Sequence, residues 1–256
     1  MKWGLDEDMS RFDVIAFDAD DTLWHNETHY LDAKERFGQL LSRYRDPKTI
    51  IRQLDETEMD NVHSYGYGVK SFTLSMVETA VDISDGHVQG SEIQAILEIA
   101  REMLDEKMVL FDHVEETLAS ISADYNLLMI TKGDTFEQER KIQRTGLVGY
   151  FQHIEIVGEK SAKVYQGILR KYRIAPTRFL MVGNSLRSDI LPVVEIGGQA
   201  VYIPCEYTWV HEDMVDQPID LDAYHEIEHL GKLPELIMDL DKNRSHASNK
   251  LEGQSK

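Results

Sequence analysis

Cysteine is almost absent from this chain, and long apolar runs are missing altogether. Cys205 is the one cysteine among 256 residues, so no internal disulfide can form, which is typical of proteins in reducing compartments. Residues 1–10 are charged and lack the apolar core of a signal peptide. No segment approaches the roughly 20 uninterrupted apolar residues of a membrane span. We therefore expect a cytoplasmic protein with no membrane partner.

Positive charge is scarce relative to negative charge. Lys and Arg together number 27 against 46 Asp and Glu, which gives a formal net charge of -19. A protein that binds DNA or RNA needs clustered cations to displace the counterions of the phosphate backbone. This balance argues against a nucleic-acid partner, and we do not expect the protein to bind DNA or RNA.

Proline is sparse as well, with 6 residues in the chain, and residues 28–108 are rich in helix formers. Between residues 28 and 44 the apolar positions recur at steps of three and four, which predicts an amphipathic helix. Further helices are predicted at residues 50–60, 70–81 and 91–107. The last of them is expected to take Ser91 as its cap, because Gln94 follows three residues later.

Short apolar runs alternate with helical segments on either side of this all-helical stretch. Besides the run at residues 14–17, the sequence predicts strands at residues 126–130, 154–157, 179–182 and 199–203. Helices are predicted between them at residues 136–146, 162–172 and 190–196. Alternating strands and helices are typical of a parallel sheet with crossover connections.

The predicted fold is therefore α/β, a Rossmann-like parallel-sheet core interrupted after its first strand by a helical insertion. The core is assigned to residues 11–27 and 109–240, and the insertion to residues 28–108. Residues 241–256 contain few apolar side chains and are expected to be disordered.

The first predicted strand ends in three carboxylates. Asp18, Asp20 and Asp21 follow residues 14–17 directly. In extended backbone Asp18 and Asp20 lie on one side of the chain, and ligands of parallel sheets bind at the carboxyl ends of the strands. Two carboxylates this close favour a divalent cation such as Mg²⁺. A solvated acidic turn is the alternative, whereas a calcium-binding EF-hand loop is excluded because the required glycine and glutamate are missing.

Three further predicted strands are followed by polar residues, which a parallel sheet would gather at the same edge. These residues are Thr131 to Asp134 after the second strand, Lys160 after the third, and Gly183 to Ser185 with Asp189 after the fourth. Each has a simpler interpretation. Thr131 fits a polar turn before a helix capped by Asp134, Lys163 competes with Lys160, and Gly183-Asn184-Ser185 fits an ordinary strand-exit turn.

In this order and spacing, the four segments resemble the four signature motifs of the haloacid dehalogenase-like superfamily. The resemblance implies that Asp18 is the nucleophile of an aspartyl-phosphate mechanism and that Asp20 is its general acid and base. It further implies that Thr131, Lys132 and Lys160 hold the phosphoryl group. Mg²⁺ would be bound by Asp18, Asp20, Asn184 and Asp189.

Two positions refine what the resemblance implies. Members that dehalogenate or cleave carbon–phosphorus bonds lack an acid at the position of Asp20, so this residue indicates phosphoryl chemistry. The family commonly has aspartate where this chain has Asn184, whose amide oxygen brings no charge to the metal. The implied function is a Mg²⁺-dependent phosphatase acting on a small phosphate monoester. A phosphomutase acting on a sugar phosphate and a non-catalytic protein that binds a phosphate ligand are the alternatives.

By the same resemblance, the helical insertion would be a cap that closes over the site. Within it, residues 65–70 read Tyr-Gly-Tyr-Gly-Val-Lys. We expect this loop to face the site, with Tyr65, Tyr67 and Lys70 contacting the substrate. The alternative is an ordinary interhelical turn with packing tyrosines.

Overall fold

A six-stranded parallel sheet forms the centre of the molecule. The computed structural model describes residues 11–207 and 223–252, with side chains up to residue 242. The strands are β1 (Val14–Phe17), β2 (Asn126–Lys132), β3 (His153–Val157), β4 (Phe179–Gly183), β5 (Gln199–Tyr202) and β6 (His225–Glu226). Their order is β3-β2-β1-β4-β5-β6. The predicted parallel α/β fold is confirmed.

Strand β1 lies at the point where the strand order reverses, because β2 and β3 are added on one side of it and β4 to β6 on the other. Its neighbours are β2 on one side and β4 on the other, with Phe17 level with both Met129 and Val182. Ligands of open parallel sheets bind at such a switch point, beyond the carboxyl ends of the strands. The residues that follow β1 therefore occupy the position in the fold best suited to a binding site.

Both faces of β1 are buried, which explains its uninterrupted apolar sequence. Ile15 and Phe17 belong to one hydrophobic cluster, and Val14 and Ala16 to another on the opposite face. All four side chains have no exposed surface. The strand is thereby fixed from both sides, and so is the position of the residue that follows it.

Four helices follow β1 and enclose a core of their own. They are α1 (Glu27–Leu40), α2 (Pro47–Tyr65), α3 (Val69–Ile83) and α4 (Gly90–Asp105). Their shared cluster includes Phe37, Leu54, Phe72, Met76 and Ile96, and all its members come from this segment. The helical character of the insertion agrees with the sequence pattern, while the domain boundaries at residues 28 and 108 stay predictions.

The remaining helices cover the two faces of the sheet. They are α5 (Val114–Ile121), α6 (Thr135–Thr145), α7 (Ala162–Tyr172), α8 (Leu191–Glu195) and α9 (Leu233–Glu252). A π-helical turn, Leu186–Ile190, precedes α8, so the helix predicted at 190–196 begins differently. In the described part of the chain, no helix combines the length and apolar character needed to cross a membrane.

One expectation about a helix end is wrong. Helix α4 begins at Gly90 rather than after Ser91, because Glu92 reaches back to the backbone N–H of Gln89 at 2.8 Å. Helix α9 continues to Glu252, while the disorder expected from residue 241 stays a prediction. Asp241 is held by hydrogen bonds from the Arg11 backbone N–H and the Tyr125 hydroxyl, and only residues 253–256 of the predicted tail lie outside the described residues.

Removing the Glu92 carboxylate tests where α4 begins. Glu92 accepts from the Gln89 backbone N–H and, at 2.9 Å, from the Tyr44 hydroxyl. Glu92→Ala should therefore lower the free energy of unfolding by about 1–2 kcal/mol in urea denaturation. Ser91→Ala is the control and should stay within about 0.5 kcal/mol of wild type, because Ser91 is exposed. An equal loss in both variants would place the cap at the serine.

Candidate active site

Asp18 lies at the end of β1 with its carboxylate fixed by two neighbours. Its backbone N–H continues the sheet by donating to the Val182 carbonyl at 2.9 Å. The Lys160 ammonium donates to Oδ1, and the Thr22 hydroxyl lies 3.0 Å from Oδ2. The residue is only 6% exposed. Asp18 is thus a buried carboxylate with one preferred orientation.

Lys160 bridges two carboxylates that come from different strand ends. Besides Asp18, its ammonium contacts Asp189 Oδ1 at 2.7 Å. Burial alone would lower the pKa of Lys160, but the two adjacent carboxylates outweigh it and raise the pKa above its usual value. Lys160 is therefore charged at neutral pH. Lys163, the competing lysine, is exposed on α7 and does not border the site.

The segment after β4 brings an amide and a second carboxylate to the same place. Asp189 Oδ2 accepts from the Ser185 backbone N–H at 3.2 Å. A side chain at Gly183 would overlap this carboxylate, so the close approach requires glycine. Asn184 Oδ1 lies 3.1 Å from the Thr22 hydroxyl. The strand-exit segment is therefore shaped around the site rather than forming a plain turn.

Asp20 has a different set of partners from Asp18. Trp24 Nε1 donates to its Oδ1 at 2.7 Å and Gln138 Nε2 to its Oδ2 at 2.8 Å. The Lys141 ammonium lies 3.1 Å from both oxygens. These three donors do not fit the predicted role of the Asp20 carboxylate as a metal ligand. The role of Asp20 in proton transfer stays a prediction.

The oxygen atoms around Thr22 fit a hard cation. The Thr22 hydroxyl has one hydrogen but lies within hydrogen-bond distance of Asp18 Oδ2 and Asn184 Oδ1, so only one of the two can receive it. Within the described residues, no three His, Cys, Asp or Glu side chains form a metal-binding group. Mg²⁺ is often bound through one or two carboxylates plus substrate phosphate and water. The Asp18 carboxylate and the Asn184 amide oxygen could supply the protein ligands of such a site.

Thr131 and Lys132 occupy the end of β2, which is two residues longer than predicted. Thr131 is 1% exposed, and its hydroxyl oxygen accepts from Gln138 Nε2 at 2.8 Å. Its own hydrogen therefore remains to be donated to another oxygen. The Lys132 ammonium lies 3.4 Å from Ser188 Oγ and 4.4 Å from the centre of the Tyr67 ring.

The three predicted cap residues are placed differently from one another. Tyr67 borders the cavity, and its hydroxyl donates to Glu159 Oε2 of the core at 3.0 Å. Tyr65 is 52% exposed at the end of α2 and does not border the cavity. Lys70 forms an ion pair with Asp134 at 2.8 Å, also outside the cavity lining. The structure thus does not fit substrate contacts by Tyr65 and Lys70.

A cavity of about 140 Å³ lies between the cap and the carboxyl edge of the sheet. Asp18, Thr131, Lys160 and Asn184 border it on the core side. Side chains that the sequence interpretation did not include also border it, namely Asn26, Glu27, Tyr30, Glu58, Gln138 and Lys141. Gln138 and Lys141 follow the second motif on one face of α6, and this helical spacing is the only signal in the sequence that points to them.

Asp21 and Glu27 are acids whose surroundings favour the neutral form. Asp21 has a left-handed backbone, with φ of 59°, and its carboxylate accepts the N–H groups of Asn26 and Glu27. Burial raises the pKa of Asp21 to about 7 despite these hydrogen bonds. Burial likewise raises the pKa of Glu27 to about 8, although Lys34 opposes the shift.

The comparisons with known proteins agree with this arrangement. Residues 12–197 match the model of the family described as haloacid dehalogenase-like hydrolase. Since the match spans most of the chain, the protein belongs to this family of hydrolases.

Several individual proteins are similar over large parts of the chain. A haloacid dehalogenase-like family hydrolase from Xanthomonas campestris has a TM-score of 0.84 and 36% identity, covering 96% of this chain and 99% of that one. The N-acylneuraminate-9-phosphatase of Mus musculus is 21% identical over 91% of this chain and 96% of its own length. A glyceraldehyde 3-phosphate phosphatase from Methanothermobacter thermautotrophicus is 28% identical over 48% of this chain. That match spans 58% of the archaeal protein's length.

The raised pKa of Glu27 predicts a pH-dependent stability. Between its usual pKa of about 4.5 and about 8 the folded protein keeps a proton that the unfolded chain has released, so Glu27 lowers stability as pH rises through this window. Glu27→Gln cannot ionise. Its unfolding free energy relative to wild type should therefore rise by roughly 1–3 kcal/mol between pH 5 and pH 9 in urea denaturation.

The control is Glu35→Gln, an exposed glutamate on the same helix. Its stability relative to wild type should be the same at both pH values. If Glu27→Gln also parallels wild type, the carboxyl is not kept neutral by its surroundings.

Proposed function

We propose that this protein is a Mg²⁺-dependent phosphatase that hydrolyses a small phosphate monoester through an aspartyl-phosphate. The observation that carries the proposal is the pair of carboxylates at the end of β1. Asp18 is fixed by Lys160 and Thr22, whereas Asp20 is held separately by Gln138 and Lys141, and both border one cavity. Membership of the hydrolase family and the similarity to two named phosphatases support the proposal.

In the first step, an Asp18 oxygen forms a bond to phosphorus while the bond from phosphorus to the leaving oxygen breaks. Asp20 gives a proton to that oxygen, so that an alcohol departs rather than an alkoxide. Lys160 uses two of its three hydrogens on carboxylates, and the third, with the Thr131 hydroxyl, binds the non-bridging oxygens.

In the second step, Asp20 acts as a base. It takes a proton from the water that attacks phosphorus, and the bond between phosphorus and Asp18 breaks. Inorganic phosphate leaves, and both aspartates return to their starting states. Mg²⁺, when bound, neutralises charge on the phosphoryl oxygens. Asp18 and Asn184 would hold it, and Asp189 keeps Lys160 beside them.

The cap side of the cavity favours hydrolysis over phosphoryl transfer between two positions of a sugar. A mutase must accommodate a second phosphate group, but the described cap residues that border the cavity include no Lys or Arg. The nearby Lys34 is already paired with Asp55 at 2.8 Å and with Glu58 at 3.3 Å.

The proposal is tested by measuring phosphate release from sugar phosphates, nucleotides, phosphoglycolate and p-nitrophenyl phosphate. Wild type should release phosphate from at least one monoester, and excess EDTA should abolish the release. Asp18→Asn should lower kcat by at least about 10⁴-fold because the nucleophile is lost. Folding of this variant is checked by its unfolding transition. Activity of Asp18→Asn near that of wild type would contradict the mechanism, and ligand binding without turnover by wild type would favour the non-catalytic alternative.

Replacing Asn184 by aspartate tests its assignment to the metal. The added negative charge should tighten Mg²⁺ binding, lowering the Mg²⁺ concentration for half-maximal activity by about tenfold. Calorimetric titration with Mg²⁺ measures the affinity directly. Gln199→Glu adds the same charge outside the cavity lining and should leave the affinity unchanged. An unaltered affinity in Asn184→Asp would remove this residue from the metal site.

A further inference from the structure

The Asp20 carboxylate is held mainly by side chains from a helix that carries none of the four motifs. Gln138 and Lys141 both come from α6, which begins at Thr135 just after β2. They are three residues apart, so they lie on one face of the helix. Together they make three of the four short contacts to this carboxylate, the fourth coming from Trp24.

The Gln138 amide joins Asp20 to the end of β2. Its Nε2 lies 2.8 Å from Asp20 Oδ2, 2.8 Å from Thr131 Oγ1 and 2.9 Å from the Lys132 carbonyl. A side chain at Gly133 would come within 3.1 Å of this amide, so the glycine leaves room for it. Gln138 thereby sets the distance between the residue expected to transfer protons and one expected to bind phosphate.

Burial of the Gln138 side chain lowers the stability of the fold, and packing alone does not explain why a glutamine is placed there. The residue is 2% exposed, and its Oε1 has no hydrogen-bond partner among the described residues. A buried acceptor without a partner destabilises a fold by about 1–3 kcal/mol. An apolar side chain of similar size would avoid this cost, so the useful part of Gln138 is its amide nitrogen.

Lys141 holds Asp20 from the side of the chain that leads into the cap. Its ammonium contacts both Asp20 oxygens at 3.1 Å and Asn26 Oδ1 at 2.7 Å. Asn26 precedes α1 but does not cap it through its side chain, because the Asp21 carboxylate accepts the N–H groups there. The Asn26 amide oxygen is thus available to Lys141 rather than to the helix.

We infer that Gln138 and Lys141 are positioning residues that orient Asp20 for proton transfer to the leaving group. The inference rests on the proposed phosphatase function. A well-placed general acid contributes about 10²–10⁴-fold to rate, and a displacement of about 1 Å in such a group costs about 10²-fold. Both residues are assigned to act through the Asp20 carboxylate, which each of them contacts directly.

The test uses aryl phosphates that differ only in how much their leaving group needs a proton. p-Nitrophenolate departs without one, whereas unsubstituted phenolate is far more basic. For Lys141→Met and Gln138→Ala, kcat/KM for phenyl phosphate should fall by about 100-fold. For p-nitrophenyl phosphate it should fall by no more than about threefold. The slope of log kcat/KM against leaving-group basicity should therefore become steeper.

Two residues of the same helix outside the cavity lining provide matched controls, namely Gln143→Ala at an exposed position and Arg140→Met at a half-buried one. Both should show the wild-type slope. Lys141→Arg keeps the cation and should recover most of the phenyl phosphate rate. Should Lys141→Met fail to fold, Gln138→Ala, which keeps the Lys141 contacts to Asp20, is compared with Lys141→Arg, which keeps the Gln138 contact and the cation.

Equal losses on both substrates would show a merely structural role and overturn the inference, while leaving the phosphatase function intact. A wild-type slope that is already steep would mean that Asp20 supplies no proton, which also overturns it. Absence of phosphate release by wild type from every ester would instead refute the proposed function itself.

Discussion

The site depends on one buried ion-pair chain, Asp18–Lys160–Asp189. A lone charge with so little exposure would be strongly disfavoured, so each of these groups requires the others. These ion pairs also join three separate segments, namely the end of β1, the loop after β3 and the π-helical turn after β4. Removing Lys160 would leave the Asp18 and Asp189 carboxylates without the ammonium that both contact at the switch point. The geometry of the nucleophile is therefore coupled to the packing of the sheet.

The same short loop gives two aspartates opposite surroundings. The Asp18 carboxylate contacts the Lys160 ammonium at the edge of the sheet. The Asp20 carboxylate instead accepts from the Trp24 indole and from an amide and a second ammonium of α6. Two carboxylates in one site can take different chemical roles when their environments differ. Their spacing along the chain brings them to one cavity, and their partners, not their chemistry, make them inequivalent.

Residues at the strand ends could be predicted from the sequence because buried strands are uninterrupted apolar runs, so the polar residues that follow them stand out. Asp18, Thr131, Lys160 and Asn184 can be predicted at one edge in this way, and all four border the same cavity. Gln138 and Lys141 could not be found this way, because polar residues on a helix normally indicate a solvated face. The loop at residues 65–70 was harder still. Gly66 and Gly68 adopt positive φ angles, and these turns, invisible in the sequence, set which tyrosine borders the cavity.

Helix α6 connects the orientation of Asp20 with the placement of the cap. Glu137, next to Gln138, accepts the Val69 backbone N–H at 2.8 Å, and a side chain at Gly68 would come within 2.7 Å of the same carboxylate. Lys70 pairs with Asp134, which caps the first turn of α6 through the Glu137 N–H. One helix therefore receives the cap loop on its first turn and holds the Asp20 carboxylate from its next residues. The contacts of that loop and the side chains that hold Asp20 therefore lie on the same helix, so the placement of the cap loop and the position of the Asp20 carboxylate depend on α6 together.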